Sequence, residues 1–482
     1  MSEVKVNKIS PRSGTTLTLG DSGDTITLAS GASQSGFGRT GTVDWQTTIY
    51  TNSNSPLTVE NGKGYFLNTT SGTITINLPA GSAGDIVAFK DYLGTWDNNN
   101  VTVTPNGSDK IGGTTGSATL STESQSVTLI FTDSTQGWLD IHDSTANVQS
   151  AQFVAATGGN TTATVCTNFK VHTFTGPGTF CVSNAGNSSG SNTVEYLVVA
   201  GGGAGGADLG GGGGAGGFRT IFPSPATGGL PVTATGYPIT IGAGGAPQST
   251  PNPTGGGRGN PGSNSIFAGS STITSAGGGG AGGAPASQGE GAGANGGSGG
   301  GTAGYSPAPT VGGSGNTPAT PVSQGNDGGA GGGGGPGYPG GGGGGSAAVG
   351  ATPPNSNSIG GAGGAGTQLN IDGNNYYWAG GGGGATYTPE DAGAGGIGGG
   401  GGGGTDQPGV AGAGGGSAIN SGGAGTAGPS AVNGGPAVGG AGGTNSGGGG
   451  GAGAHAGTSG AQPFNKGGNG GSGIVIIRYK FQ

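Results

Sequence analysis

Charge is scarce in this chain. Of 482 residues, 13 are Lys or Arg and 21 Asp or Glu, leaving a net charge of −8 spread very thinly. No basic run exists, which excludes a phosphate-tracking surface and, with it, nucleic acid as an expected partner. Hydrophobic residues are few as well, 29% of the chain, where roughly 45–50% is ordinary. The length would suit roughly three domains, but so little apolar side chain cannot fill three ordinary cores. No apolar stretch approaches the length of a membrane-spanning helix. The opening Met1-Ser2-Glu3-Val4-Lys5 is charged rather than patterned as a signal peptide. Helical periodicity of credible length is missing throughout. Cysteine is nearly absent: Cys166 and Cys181 allow at most one internal bridge.

Glycine is what the chain has instead, 131 residues of it. Its distribution divides the sequence near residue 200, with 24 glycines before and 107 after. The runs are two to seven residues long and keep no triplet register, so a collagen helix is excluded. Charge is too low for a conventional disordered acidic chain. A fibrous or repetitive protein built to work outside the cell remains.

The first 200 residues read as short strands of Thr, Val, Ile and Leu between turn residues. Residues 13–30 hold a nine-residue repeat, Ser13–Asp21 followed by Ser22–Ser30. Leu17/Leu19 and Ile26/Leu28 share one face that a single chain cannot bury, so neighbouring copies of the chain are expected to cover it. Residues 37–148 form the clearest domain, with strands expected at Thr47–Tyr50, Lys63–Asn68, Thr73–Leu78, Asp85–Lys90, Val101–Thr104, Ser126–Thr132 and Gly137–His142. Their spacing of about ten residues predicts a β-sandwich or jelly roll. Its core is expected from Phe66, Ile74, Ile76, Leu78, Ile86, Phe89, Val127, Leu129, Phe131 and Trp138. Residues 149–200 read as a small β-hairpin domain, turning at Gly176-Pro177-Gly178. That turn places Cys181 opposite a residue near Thr173, so two small buried thiols are expected rather than a bridge. Two strongly apolar strands, 193–200 and 473–482, bracket the glycine region 201–472 and are expected to pair.

A flexible linker is the ordinary meaning of Gly/Ser-rich sequence, yet this region is far too long for one. Polyglycine-II packing is the physical alternative. Each run becomes an extended threefold helix, and neighbouring runs satisfy one another's backbone groups without an apolar core. Between runs lie tips rich in Pro, Asn, Tyr, Thr and Asp: Phe218–Val232, Tyr305–Thr310, Gly337–Pro339, Asn370–Trp378, Tyr387–Asp391, Thr405–Pro408 and Pro463–Lys466. Constant rods with varied tips suit a scaffold that holds recognition loops.

Motifs for chemistry are weak. Matches to G-x-G-x-x-G are expected by chance at this glycine content, and none joins a strand to a helix. Asp140, His142 and Asp143 read as a solvated strand end. His172 and His455 lack Cys or His partners at ligand spacing, so no zinc site is expected. A calcium or magnesium ion on a trimer axis stays open. Glu390-Asp391 is the only acidic cluster in the glycine half, and adjacent extended residues point apart, which argues against glycosidase chemistry. No catalytic residue, cofactor or metal is assigned, and the chain is not expected to be an enzyme. For recognition, the candidates are Asp372, Asn374, Asn375, Tyr376, Tyr377 and Trp378, with Tyr387 and Tyr305 beside them. Aromatic faces stack on sugar rings or apolar receptor loops, and amides serve hydroxyls. Tyr376 and Trp378 suit packing wedges on the glycine bundle equally well.

The frame Tyr196-Leu-Val-Val-Ala-Gly-Gly-Gly203, the long Gly-Gly-Ala-Gly-Gly runs and the closing Gly473-Ile-Val-Ile-Ile-Arg-Tyr479 resemble the glycine-rich domain of bacteriophage tail-fibre and adhesin proteins. The opening from Val4 to Leu19, with Gly62-Lys-Gly-Tyr-Phe66 and Gly84–Asp91, resembles structural fibre proteins of marine phages. The resemblance implies an all-β, elongated, homotrimeric virion fibre, assembled in the host cytoplasm and working outside it. Residues 1–36 would attach it to other tail or capsid proteins as a thin β-stem. Loops of the glycine-rich end would bind a bacterial surface glycan or outer-membrane protein, without membrane insertion. The alternative is a purely structural capsid or tail decoration.

Overall fold

A computed structural model describes residues 9–10, 13, 43–144, 151–187, 190–223, 228–248, 257–283, 291–305, 311–387, 390–405, 409–428, 437–455 and 466–482. Apart from Ile9, Ser10 and Ser13, the expected stem 1–36 lies outside these residues. The fold is all-β, with a single 3-10 turn at Asn52–Asn54 among the described residues. Two compact units divide the chain, residues 1–149 and 150–482.

The first unit is two facing sheets, reached by an unexpected winding. Strands Asp44–Thr51, Lys63–Asn68 and Ile86–Asp91 lie parallel in one sheet. The intervening Leu57–Thr58, Ile74–Asn77 and Val101–Thr104 lie parallel in the other. The chain therefore coils between sheets as a short solenoid, where a jelly roll would make antiparallel pairs. Ala118–Leu120, Ser126–Phe131 and Trp138–Ser144 then add antiparallel strands. Side-chain alternation fills the space between sheets with Tyr65, Leu67, Val87, Phe89, Val127 and Leu129 against Ile74, Ile76, Val101 and Val103. Phe66, an expected core residue, faces the other way. Period two puts Tyr65 and Leu67 inside, and Phe66 packs on Trp45 with ring centroids 5.0 Å apart. Asp91 is buried, a feature the sequence did not announce. Its carboxylate accepts backbone N–H bonds from Gly94, Thr95, Trp96 and Ser124 at 2.9–3.2 Å, which fixes the loop after its strand.

The second unit begins with a sandwich. One sheet orders Thr161–Val165, Phe169–Phe174, Ile474–Lys480, Thr193–Val199 and Phe218–Thr220, with Leu230–Pro231 paired to Thr193–Val199 as well. The other orders Val154–Thr157, Gly178–Ala185, Gly236–Thr240, Ser265–Ala268 and Thr272–Ser275. Thr193–Val199 and Ile474–Lys480 pair antiparallel, from Glu195 opposite Arg478 to Val199 opposite Ile474. Phe174, Phe180, Tyr196, Phe267, Val475 and Tyr479 pack between the sheets. The opposite face of the first sheet is also covered, by Trp378 and Ile371 over Leu197, Ile474 and Ile476. Burial on both faces explains why those two strands are apolar without alternation.

Three expectations for residues 149–200 are corrected. They form no separate domain, since their strands are shared between the two sheets. Phe169–Phe174 and Gly178–Ala185 are not a hairpin either, because the Gly176-Pro177-Gly178 turn carries the chain from one sheet to the other. The hairpin is Thr161–Val165 with Phe169–Phe174, closed by Cys166 and Thr167 at positive φ. Both cysteines are free and exposed, not buried. Cys166 sits on that turn, and Cys181 alternates outward between buried Phe180 and Val182.

The glycine runs are ordered by hydrogen bonds that repeat every third residue. Gly211 and Gly214 donate to Gly282 and Gly279, Gly212 and Ala215 to Gly341 and Gly344, and Gly213 and Gly216 to Gly450 and Gly447, all at 2.8–2.9 Å. The same run accepts bonds from Gly203 and Gly206, from Ser298 and Gly301, and from Gly382 and Ala385. Three neighbours receiving and three giving surround it with six. A period of three is what an extended threefold helix produces. Glycine is required at the contacts: a Cβ on Gly212 would land on the carbonyl oxygen of Gly382, and one on Gly213 on that of Gly203.

Candidate functional site

Run direction decides which connections share an end of the bundle. Run 200–206 leaves the sheet directly after Val199, turns at 207–209 and returns as 210–217 to Phe218–Thr220. The turn 207–209 is therefore remote from the sheets. Hydrogen bonds carry this level across the bundle: Gly304 donates to Leu209, Ala385 to Gly210, Gly340 to Ala385 and Gly453 to Gly206. The run ends Tyr305, Tyr387 and His455, and the turn residue Tyr338, thereby arrive beside Asp208.

These side chains touch in sequence. Tyr305 stacks on Tyr338 with centroids 5.8 Å apart, and Tyr338 meets Tyr387 edge-on at 6.2 Å. Tyr387 meets His455 at 5.4 Å, and His455 Nδ1 lies 2.7 Å from Asp208 Oδ1. Tyr387 N donates to Gly337 O, locking the two tips together. Tyr305 is 42% exposed, and the others are partly buried. The surface offers aromatic faces, phenolic hydroxyls and one imidazole–carboxylate pair.

The remaining candidates lie at the opposite end. Thr367–Leu369 and Tyr376–Trp378 continue two runs past the bundle as a hairpin folded over the sandwich. Asp372 Oδ1 accepts from Asn374 N at 3.1 Å, and Gly373, at φ +92°, turns the chain close to Val165. Asn374 and Asn375 are exposed, while Asp372, Tyr376 and Tyr377 are partly so. Trp378 must be struck from the recognition residues. It is fully buried, its indole N–H donates to Leu369 O at 3.3 Å, and Tyr376 packs edge-on against it at 5.8 Å. An indole ring there is worth more covering Leu197, Ile474 and Ile476 than facing solvent.

The eight expected residues thus form two groups at two ends rather than one surface. Tyr338, Asp208 and His455, which share the remote end with Tyr305 and Tyr387, were not among the expected residues. Counting chain reversals from residue 200 assigns each tip to an end only once the turns are known, and the turn at 397–399 overlaps the unbroken glycine run 398–404. Among the described residues, no three His, Cys, Asp or Glu side chains gather as metal ligands. No helix there is long and apolar enough to cross a membrane.

Residues 175–429, more than half of the chain, match the family model of the glycine-rich domain. The chain belongs to the glycine-rich domain family. In front of this glycine-rich domain, residues 17–141 match the model of the bacteriophage T4 gp9/10-like protein, N-terminal. A curated relative, the baseplate wedge protein gp10 of Enterobacteria phage T4, is 40% identical over 72 residues. That match covers 14% of this chain and 12% of the relative, so the chain spans only a small part of the relative's length. The glycine-rich domain is thus joined to a segment similar to a phage baseplate structural protein.

Proposed function

We propose that this chain is a structural component of a phage tail or baseplate whose glycine-rich domain presents its remote end to the bacterial surface. The observation that carries this reading is the gathering of Tyr305, Tyr338 and Tyr387 beside Asp208 and His455 at one end of a rigid bundle. Tyrosine supplies large contact area with little rotamer entropy to lose and a hydroxyl for polar partners. The gp9/10-like segment supports incorporation into a virion, with residues 1–36 as attachment to other virion proteins. The threefold hydrogen bonding supports polyglycine-II runs as the rigid element. In this reading the protein is a homotrimer without catalytic activity, so three weak contacts act together through effective concentration.

Purified full-length protein should bind host cells saturably, and its mass by light scattering should be that of three chains. The double variant Tyr305→Ala/Tyr387→Ala should remain folded and trimeric and lose cell binding. A second reading, a virion component with no receptor role, is favoured by the wedge protein similarity. It wins if the folded wild type does not bind cells that the phage infects.

A further inference from the structure

At the sandwich end, a cavity of about 310 Å³ opens between Phe222-Pro223 and the hairpin residues Gln368, Leu369, Asn370 and Asn375. Its lining is chemically narrow: three amides, an aromatic ring, a proline ring and a leucine, with no ionisable group. The walls are held in place. The Arg478 guanidinium lies 4.8 Å from the centroid of Phe222 and 4.1 Å from that of Phe169. Leu369 is packed with Trp378 and Ile371. The loop between the strands is pinned by Gly373 N donating to Asn370 O at 3.0 Å and by the Asp372–Asn374 turn. Among the described residues, no protein group engages the side-chain amides of Gln368, Asn370 or Asn375.

We propose that this groove binds a neutral saccharide, taking one pyranose unit of a glycan. Each amide presents a donor and an acceptor side by side, which matches neighbouring hydroxyls that both give and accept. Phe222, Pro223 and Leu369 supply the apolar surface that a sugar's C–H face covers. A charged ligand would lose its hydration and find no counter-charge in the lining. The volume sits at the small end of the roughly 300–1,000 Å³ of ligand sites, which suits one ring and leaves the rest of the glycan in solvent. Preformed walls reduce the ordering cost of binding. The site lies at the opposite end from Tyr305 and Tyr387 and does not rest on the receptor reading of that end.

The test uses the full-length protein with maltotriose, cellotriose and mannotriose, and sialyllactose as the anionic comparison, followed by saturation-transfer NMR and calorimetry. At least one neutral trisaccharide should bind saturably, and sialyllactose no better. Asn375→Ala and Gln368→Ala, both exposed positions, should each weaken binding by about tenfold, the worth of one hydrogen bond to a ligand, with unchanged thermal unfolding. Tyr305→Ala should leave this binding intact even where it abolishes cell attachment, which separates the two proposals. The proposal is overturned if none of the three neutral sugars binds, if sialyllactose is preferred, or if the folded Asn375→Ala and Gln368→Ala variants bind as the wild type does.

Discussion

The Tyr479 hydroxyl meets His172 Nε2 at 3.1 Å, across 307 residues of chain, linking two neighbouring strands of one sheet. His172 Nδ1 lies 2.6 Å from Gly158 O, so Nδ1 carries the proton and Nε2 accepts from Tyr479. Ala156, in the opposite sheet, donates its N–H to the same hydroxyl at 3.1 Å. A neutral imidazole fits this arrangement, and the Tyr479 hydroxyl also lies 3.4 Å from Ala156 O. Burial pushes the His172 pKa below its ordinary 6.5, outweighing the Gly158 hydrogen bond that opposes the shift. The unfolded chain therefore takes up a proton first as pH falls. This contribution to stability is complete above pH 6.5 and is lost as pH drops from there toward the folded pKa. Thermal unfolding of the wild type should show a midpoint that declines over that acidic range. His172→Gln should unfold at lower temperature with a shallower acid dependence.

Glycine in the bundle should be irreplaceable by position, not by composition. A methyl group on Gly213 would strike the backbone of Gly203, whereas one on Gly416 meets nothing within 4 Å. Gly213→Ala should cost about 3 kcal/mol or more, because backbone cannot step aside as a side chain can. Gly416→Ala should change stability by less than about 0.5 kcal/mol. Calorimetric unfolding of the two variants checks the contrast.

In the first unit, Asp91→Ala should be among the costlier single changes. It would leave the N–H groups of Gly94, Thr95, Trp96 and Ser124 without their acceptor. A loss of roughly 3 kcal/mol is expected for a buried, charge-assisted cluster of this kind. Asp91→Asn should recover part of it, as read by denaturant unfolding.

Trp378 and Tyr305 should separate folding from attachment. Trp378→Ala should destabilise the second unit by roughly 3–5 kcal/mol through the cavity it leaves. Tyr305→Ala, at a 42% exposed position, should leave unfolding almost unchanged and reduce cell binding.

Both cysteines should react with a maleimide in the native protein, since Cys166 and Cys181 are free and exposed. Mass spectrometry without denaturant should show two adducts per chain.

Local chemistry was legible in the sequence wherever it depends on near neighbours. The absence of an α-helix among the described residues follows from composition and period. Most strand positions of residues 44–144 follow from alternation, and the doubly buried strands from Tyr196-Leu-Val-Val and Ile474-Val-Ile-Ile. Partner choice within residues 44–185 was not legible. Alternation names the residues of a strand but not its neighbour, so the two-sheet sandwich was expected but its solenoid winding was not, and Gly176-Pro177-Gly178 links two sheets where a hairpin was expected. Phase was also lost at Phe66, where the most apolar residue of three in a row faces outward because Tyr65 and Leu67 together bury more. The tips show the same limit. Composition marks Tyr305, Tyr387 and Asp372–Trp378 as alike, but successive runs reverse direction, and the parity of those reversals sends the first two to the remote end and the last to the sandwich. Asp208 and His455, separated by 247 residues, meet only because backbone hydrogen bonds hold every run in register. The sequence by itself determined which segments are rods and which are strands; the tertiary hydrogen bonding decided which side chains share a surface.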